Sequence, residues 1–276
     1  MNYRTIVVHV DQAPNSGARM ALAAQLTAQQ EGHLVGVALT GVPRYMRAGG
    51  LFEGSGVFIE DYMQHAGKRA TEALAHFDAI AARAGLSSRE QRKSDEDAYA
   101  GLCLQARYAD LLVLGQADPE DREEGGLLQD LPQYVVMHCG RPVLMVPRSG
   151  TFDRIGQRPL LAWNGSVEAA KAATAALPLL CNAEEVTLAV FGAPHSDGEP
   201  GADMALYLAR HGVKVQIQHR PHPADAGHAI LSLAADRACD LLVMGAYGHS
   251  RFRELMLGGA TRTVLATATL PVLMAH

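Results

Sequence analysis

The sequence lacks long apolar runs, paired cysteines and any surplus of positive charge, and each absence narrows its possible roles. Of its 276 residues, 48% are hydrophobic, yet no apolar run approaches the roughly 20 residues that a membrane-spanning helix needs. A soluble protein without a membrane partner is expected. The opening stretch, MNYRTIVVHV, passes from a single arginine into a β-branched run without the small-residue cleavage site of a secretory leader. That points to the cytoplasm. Cys103, Cys139, Cys181 and Cys239 form no CxxC pair, so they read as small buried residues in a reducing compartment rather than as a disulfide framework or a zinc site. The formal net charge of −5 gives no broad attraction to nucleic acid. There is no HExxH, no nucleophile elbow, no acid–base pair forced together and no GxxxxGK[ST] loop. No catalytic and no metal-ligating residue is assigned.

What is present is a repeat. The segment from Asp110 to Gly115 reads DLLVLG, and that from Asp240 to Gly245 reads DLLVMG, a displacement of 130 residues; the Pro-Val-Leu-Met runs from Pro142 and Pro271 are displaced by 129. A near-constant offset means duplication. The first strands also correspond, with Asp11 matching Asn164 at an offset of 153. About 23 extra residues therefore lie in the first half, by the same arithmetic, and the stretch from 40 to 62 is where they are expected. The Gly-rich part of that stretch reads as a cover over the first cleft, leading into a helix from 58 to 84.

Within each half, short β-branched or Leu-rich runs alternate with Ala-rich amphipathic stretches, the signature of βαβ units and a parallel sheet. In the second half, strands are expected at 159–163, 185–191, 213–219, 240–245 and 271–275, with helices near 166–178, 200–211, 225–237 and 257–267. The expected fold is α/β: two tandem Rossmann-like domains, 1–148 and 158–276, each a five-stranded parallel sheet flanked by helices. The Pro-, Gly- and Ser-containing segment from 147 to 157 suits an exposed linker.

Ligands of open α/β sheets sit outside the carboxyl ends of the strands, where a loop feeds a helix start. The loop after 240–245 has glycines at 245, 248, 258 and 259 and a hydroxyl at Thr261. Gly245 and Gly248 let the chain leave the strand tightly, and Gly258 and Gly259 let backbone N–H groups approach an anion. Ala260, Thr261 and the free amides of the helix start can hold phosphate oxygens. His249 and Arg251 are either phosphate contacts or solvated loop residues, and Trp163 is either a packing residue or a stacking platform.

This arrangement resembles the ATP-binding signature of the universal stress protein family, in which GxxG is followed after nine residues by Gly and a hydroxyl residue. The resemblance covers almost the whole chain, twice. It implies an adenine nucleotide alpha hydrolase-like fold and a regulatory role rather than catalysis, with ATP or a related adenine nucleotide in the second domain and Mg²⁺ accompanying the triphosphate. It further places the backbone around Val190 and Phe191 near the adenine, and Asn164 near the nucleoside where the family tends to have Asp. Gly259 stands where the family usually has Ser or Thr. It also implies that the two halves pair as a pseudo-dimer through 142–147 and 271–275, with a homodimer left open.

The first half departs further. After Gly115 it has no second glycine at the GxxG position and carries carboxylates at Asp118, Glu120, Asp121, Glu123 and Glu124, which repel a triphosphate. That half reads as having lost nucleotide binding, and as a site for another ligand or a structural partner. Two further functional classes stay open: a non-nucleotide interaction or small-ligand module, and an enzyme that adenylates a substrate. His219, His222 and Asp225 have ligand chemistry at metal-like separations, but the two prolines among them read as an irregular loop.

Overall fold

The computed structural model describes residues 2–42, 56–118, 128–191, 199–221, 223–248 and 259–276. Contacts divide the chain into two compact units, residues 2–141 and 142–276.

In the N-terminal unit the strands are β1 (Thr5–His9), β2 (His33–Leu39), β3 (Arg89–Ser94) and β4 (Leu111–Gly115), with helices α1 (Ser16–Gln29), α2 (Gly56–Arg83), α3 (Ala98–Ala106) and α4 (Leu131–His138). All pairings are parallel, in the order β3-β2-β1-β4. The order follows from composition. β1 and β4 are apolar runs buried almost throughout, whereas β3, REQRKS, alternates charged residues along an edge where water can reach them. The ring of fully buried Phe77 on α2 lies on β2 at Gly36, where an added Cβ would stand 2.6 Å from it.

The C-terminal unit contains β5 (Val143–Val146), β6 (Pro159–Trp163), β7 (Val186–Phe191), β8 (Val215–Arg220), β9 (Leu241–Gly245) and β10 (Val272–Ala275), with α5 (Val167–Leu180), α6 (Ala202–Arg210), α7 (Ala226–Asp236) and α8 (Ala260–Thr267). The order is β5-β10-β9-β6-β7-β8, parallel except for β5 against β10. β5, the fifth strand of the first repeat by sequence, runs antiparallel to β10 with Leu144 opposite Leu273. That pairing groups it with the C-terminal unit. The strands and helices expected in this half appear within two or three residues of their predicted ends.

The extra length of the first half lies between β2 and β3. Much of it is helical: α2 has 28 residues, against 9 for α6, its counterpart in the repeat. The Gly-rich segment read as a cover lies mostly outside the described residues.

The repeated aspartates have a structural role. Asp110 Oδ2 accepts from the amides of Arg4 and Thr5 at 2.7 and 2.9 Å. Asp240 does the same for Gln157 and Arg158 at 2.7 and 3.0 Å. Each carboxylate, just before the fourth strand of its repeat, thus ties down the chain entering the first strand. Such charge-assisted bonds are shorter and stronger than neutral ones.

Candidate functional site

The carboxyl ends of β6, β7 and β9 assemble the C-terminal candidate site. β6 ends at Trp163, and Asn164 Oδ1 then accepts the amide of Ser166 at 3.1 Å. Gly165 between them has φ +76°, a conformation glycine adopts without steric cost. Ser166 caps α5, its Oγ accepting from Ala169 N at 3.1 Å. Asp11 forms the matching turn in the first repeat, accepting the amide of Ala13 at 3.0 Å. Asn164 is therefore exposed and already uses one oxygen locally.

At the end of β9, an added Cβ on Gly245 would strike the backbone of Glu168 and Ala169. Glycine there lets the first turn of α5 lie directly on the strand end, a packing requirement that glycine spacing alone does not reveal. Tyr247 has φ +57°, and its amide donates to Thr261 Oγ1 at 3.2 Å. Thr261, 3% exposed, ties the start of the loop to the start of α8 and keeps its own hydroxyl proton to donate. Gly259 is the N-cap of α8, with no side chain capping it, so the first-turn amides of Ala260 and Thr261 are left without a side-chain acceptor. His276 Nδ1 donates to the carbonyl of Ala246 at 2.9 Å, bracing the other side of the loop.

Two neighbours of the loop were not found by sequence reasoning. A Cβ built on Gly248 would lie 2.7 Å from Glu168 Oε2 and 3.0 Å from Ser166 Oγ. Both oxygens come from the start of α5, about 80 residues earlier, and only the repeat alignment of the strand ends could have brought them forward. Val190 is buried, and its Cγ2 approaches Gly201, the φ +87° N-cap of α6. Trp163 Cδ1 also lies against Gly201, 3.8 Å from an added Cβ. Asn164, Gly245, Gly248, Gly259, Ala260 and Thr261 thus stand at adjoining strand ends and helix starts, with Val190 one strand further along. His249, Arg251 and Gly258 lie outside the described residues. In the His219–Asp225 stretch, Asp225 caps α7 through His228 N at 3.0 Å, and His219 Nε2 faces Glu199 at 3.2 Å; His222 lies outside the described residues.

The corresponding end of the N-terminal unit holds a buried ionic cluster. Arg19 Nη2, on α1, donates to Asp11 Oδ1 at 2.7 Å, and His9 Nδ1 stands 3.3 Å from Asp11 Oδ2. Burial would push Asp11 up, but Arg19, His9 and the donated hydrogen bonds outweigh it and hold the carboxyl below its ordinary value. Burial lowers His9 to about 4 against the pull of Asp11, with Arg19 adding to the fall, so the ring is neutral. The guanidinium of Arg19 packs against Gly115, where a Cβ would meet Nη1. The offset that carries Asp11 to Asn164 carries Arg19 to Ala172. An arginine on the buried face of α1 where the repeat has alanine was the signal in the sequence, and it was missed.

Among the described residues no group of three or more His, Cys, Asp or Glu is placed to hold a metal, and no helix is long and apolar enough to cross a membrane. Cys139 is buried, but Cys181 is exposed at the end of α5, a departure from the buried role expected of all four cysteines.

Mostly parallel sheets with helices packed along them define a doubly wound α/β fold, with glycine-containing loops at the carboxyl ends of its strands. Comparison with known proteins sharpens this. Residues 160–276 match the model of the universal stress protein family. A universal stress protein of Synechocystis sp. is 28% identical over 169 residues, covering 59% of this chain and 57% of its own length. The chain thus spans little more than half the length of that relative. Among solved structures, a universal stress protein from Archaeoglobus fulgidus aligns with a TM-score of 0.75 at 16% identity, over 98% of this chain and 95% of its own. A functionally unknown protein from Pseudomonas aeruginosa gives 0.58 at 15%, over 99% and 92%. At these identities the structural likeness is one of fold.

Proposed function

We propose that the chain is a cytoplasmic, two-repeat stress-response protein that binds ATP or a related adenine nucleotide in its second repeat, 158–276, and acts as a regulator rather than an enzyme. The observation that carries this reading is the coincidence of two features within one stretch: residues 160–276 match the universal stress protein family, and the amide of Tyr247, next to Gly248 in the chain, donates to Thr261 at the uncapped start of α8. Backbone N–H groups at a glycine-opened helix start favour an anion by both geometry and dipole. In this reading Ala260 and Thr261 hold phosphate oxygens, Asn164 uses its amide group toward the nucleoside, His249, Arg251 and Gly258 complete the loop, and Mg²⁺ accompanies a triphosphate. The first repeat, 1–148, serves as its partner in an intramolecular pseudo-dimer and has lost the nucleotide, because Arg19 fills the corner beside Gly115.

The test is calorimetric titration of Mg-ATP into the wild type and the double variant Gly248→Val, Gly258→Val. Loss of binding in a variant that keeps its circular dichroism supports the assignment, and unchanged affinity refutes it. Gly259→Ser restores a hydroxyl directly after Gly258 and should tighten binding if that position touches phosphate.

One observation favours a second reading, a module for a non-nucleotide ligand or protein partner. Glu168 Oε2 lies against Gly248, and a carboxylate there opposes phosphate approach unless a cation intervenes. An empty purified protein that ignores Mg-ATP is the outcome this reading expects.

A further inference from the structure

A carboxylate stands beside the loop that, in the proposed function, receives phosphate. Glu168 lies in the first turn of α5 and is half-buried. Its Oε2 is 2.7 Å from a Cβ built on Gly248, and Ser166 Oγ reaches the same point at 3.0 Å. Two oxygens thus converge on the glycine that follows Tyr247, whose amide is bonded to Thr261. Resting on the nucleotide reading of the second repeat, we propose that Glu168 makes phosphate binding there dependent on a divalent cation, with its carboxylate and the Ser166 hydroxyl holding that cation against the phosphate oxygens.

The charge of Glu168 is not answered within the unit. It has no hydrogen-bond or ion-pair partner among the described residues. Lys171, the one basic residue of α5, donates instead to His276 O at 3.3 Å. The first repeat handles its corner carboxylate differently: Asp11 receives Arg19 at 2.7 Å, and the position matching Arg19 is Ala172. The second repeat therefore carries a carboxylate on its helix without the internal arginine. The dipole of α5 favours a negative charge in its first turn, so the charge persists without a partner. Left beside Gly248, the same charge repels an approaching phosphate unless a cation lies between them.

The donors present fit a hard cation held jointly with phosphate. Mg²⁺ takes oxygen ligands and is commonly bound through one or two protein carboxylates plus substrate phosphates. Glu168 supplies one carboxylate. Ser166 Oγ accepts from Ala169 N at 3.1 Å, and a hydroxyl oxygen has a second lone pair to offer. Among the described residues no group of three or more His, Cys, Asp or Glu is placed to hold an ion alone, so phosphate oxygens must complete the set. The amides at the uncapped start of α8 remain for the phosphate oxygens that face away from the cation.

Calorimetric titration of ATP and of adenosine into the full chain, with Mg²⁺ and with EDTA, tests this in the wild type and in Glu168→Gln. The ratio of ATP affinities with and without Mg²⁺ should be about tenfold larger in the wild type than in the variant, a scale that one close charge contact readily supplies. Mg-free ATP should bind the variant more tightly than the wild type, and adenosine should bind both equally. A role confined to the helix dipole would shift the urea midpoint and leave the ratio unchanged; circular dichroism reports whether the variant is folded. Wild-type ATP affinity that is indifferent to Mg²⁺ overturns the proposal without any variant, and so does an equal ratio in two folded chains; both leave the nucleotide site standing. Wild type that binds adenosine but refuses ATP even with Mg²⁺ also overturns it, because the carboxylate then excludes phosphate. No heat from either ligand in either chain overturns the nucleotide reading and this inference with it.

Discussion

Replacing Arg19 by Met would strand a carboxylate inside the first unit, and the structure sets the size and pH dependence of the penalty. The Arg19 side chain is 4% exposed and that of Asp11 13%, so water replaces little of what the guanidinium provides. Removing one partner of a buried ion pair costs about 3–5 kcal/mol, because the remaining charge stays desolvated. In the wild type the folded state holds Asp11 below its ordinary value. The stability it contributes is therefore full above the unfolded carboxyl value and is lost as the pH falls through the lower folded one. In the variant, burial acts without the guanidinium and pushes the carboxyl up, so the penalty is greatest at neutral pH and shrinks as acid neutralises the group. Urea denaturation at pH 7 and near pH 4 measures this. Far-UV circular dichroism follows both units, while Trp163 fluorescence reports the C-terminal one, since it is the sole tryptophan. Arg19→Met with Asp11→Asn removes both charges and should recover most of the loss. A cost below about 1 kcal/mol at pH 7, or one indifferent to pH, would refute the argument that this pair is buried and coupled.

Four other outcomes are expected. His9 is held neutral with a value near 4, so stability falls as the pH drops from the ordinary imidazole value toward that point, by up to about 3 kcal/mol; His9→Gln should flatten the acid limb, and an unchanged pH profile of urea midpoints contradicts this. Gly245→Ala drives a methyl into the backbone of α5 and should cost about 1–3 kcal/mol in chemical denaturation, whereas a neutral result would mean the helix start shifts freely. Asp240→Ala removes the acceptor for two strand-entry amides and should lower the urea midpoint by the equivalent of about 1.5–3 kcal/mol, with Asp110→Ala its counterpart in the first repeat. Thr261→Val leaves the amide of Tyr247 without its acceptor and should cost about 1–2 kcal/mol; amide hydrogen exchange at Tyr247 should speed up, and unaltered exchange would contradict the role.

The fold was legible where chemistry is local. Alternating apolar runs and Ala-rich stretches located the strands and helices of the second half, because burial on a parallel sheet demands continuous apolar strands. The matching aspartates at 110 and 240 marked the repeat without revealing their purpose, which lies in amides more than 80 positions away. The candidate loop could be located from its glycines, but their reasons could not. Gly245 answers to the backbone of α5 and Gly248 to Glu168 and Ser166, contacts made only once β6 lies beside β9. Arg19 was hidden for the same reason. A charged residue on a helix face reads as solvated until the strand end it meets, Asp11, is placed beside it.

Under the proposed function, the second repeat is the working nucleotide site. Mass spectrometry of small molecules released from the purified protein, with calorimetric titration of Mg-ATP into the emptied chain, tests it most directly. About one adenine nucleotide per chain, as a single tight site allows, is the predicted result. An empty protein that gives no heat with Mg-ATP, or two equivalent sites per chain, would contradict it.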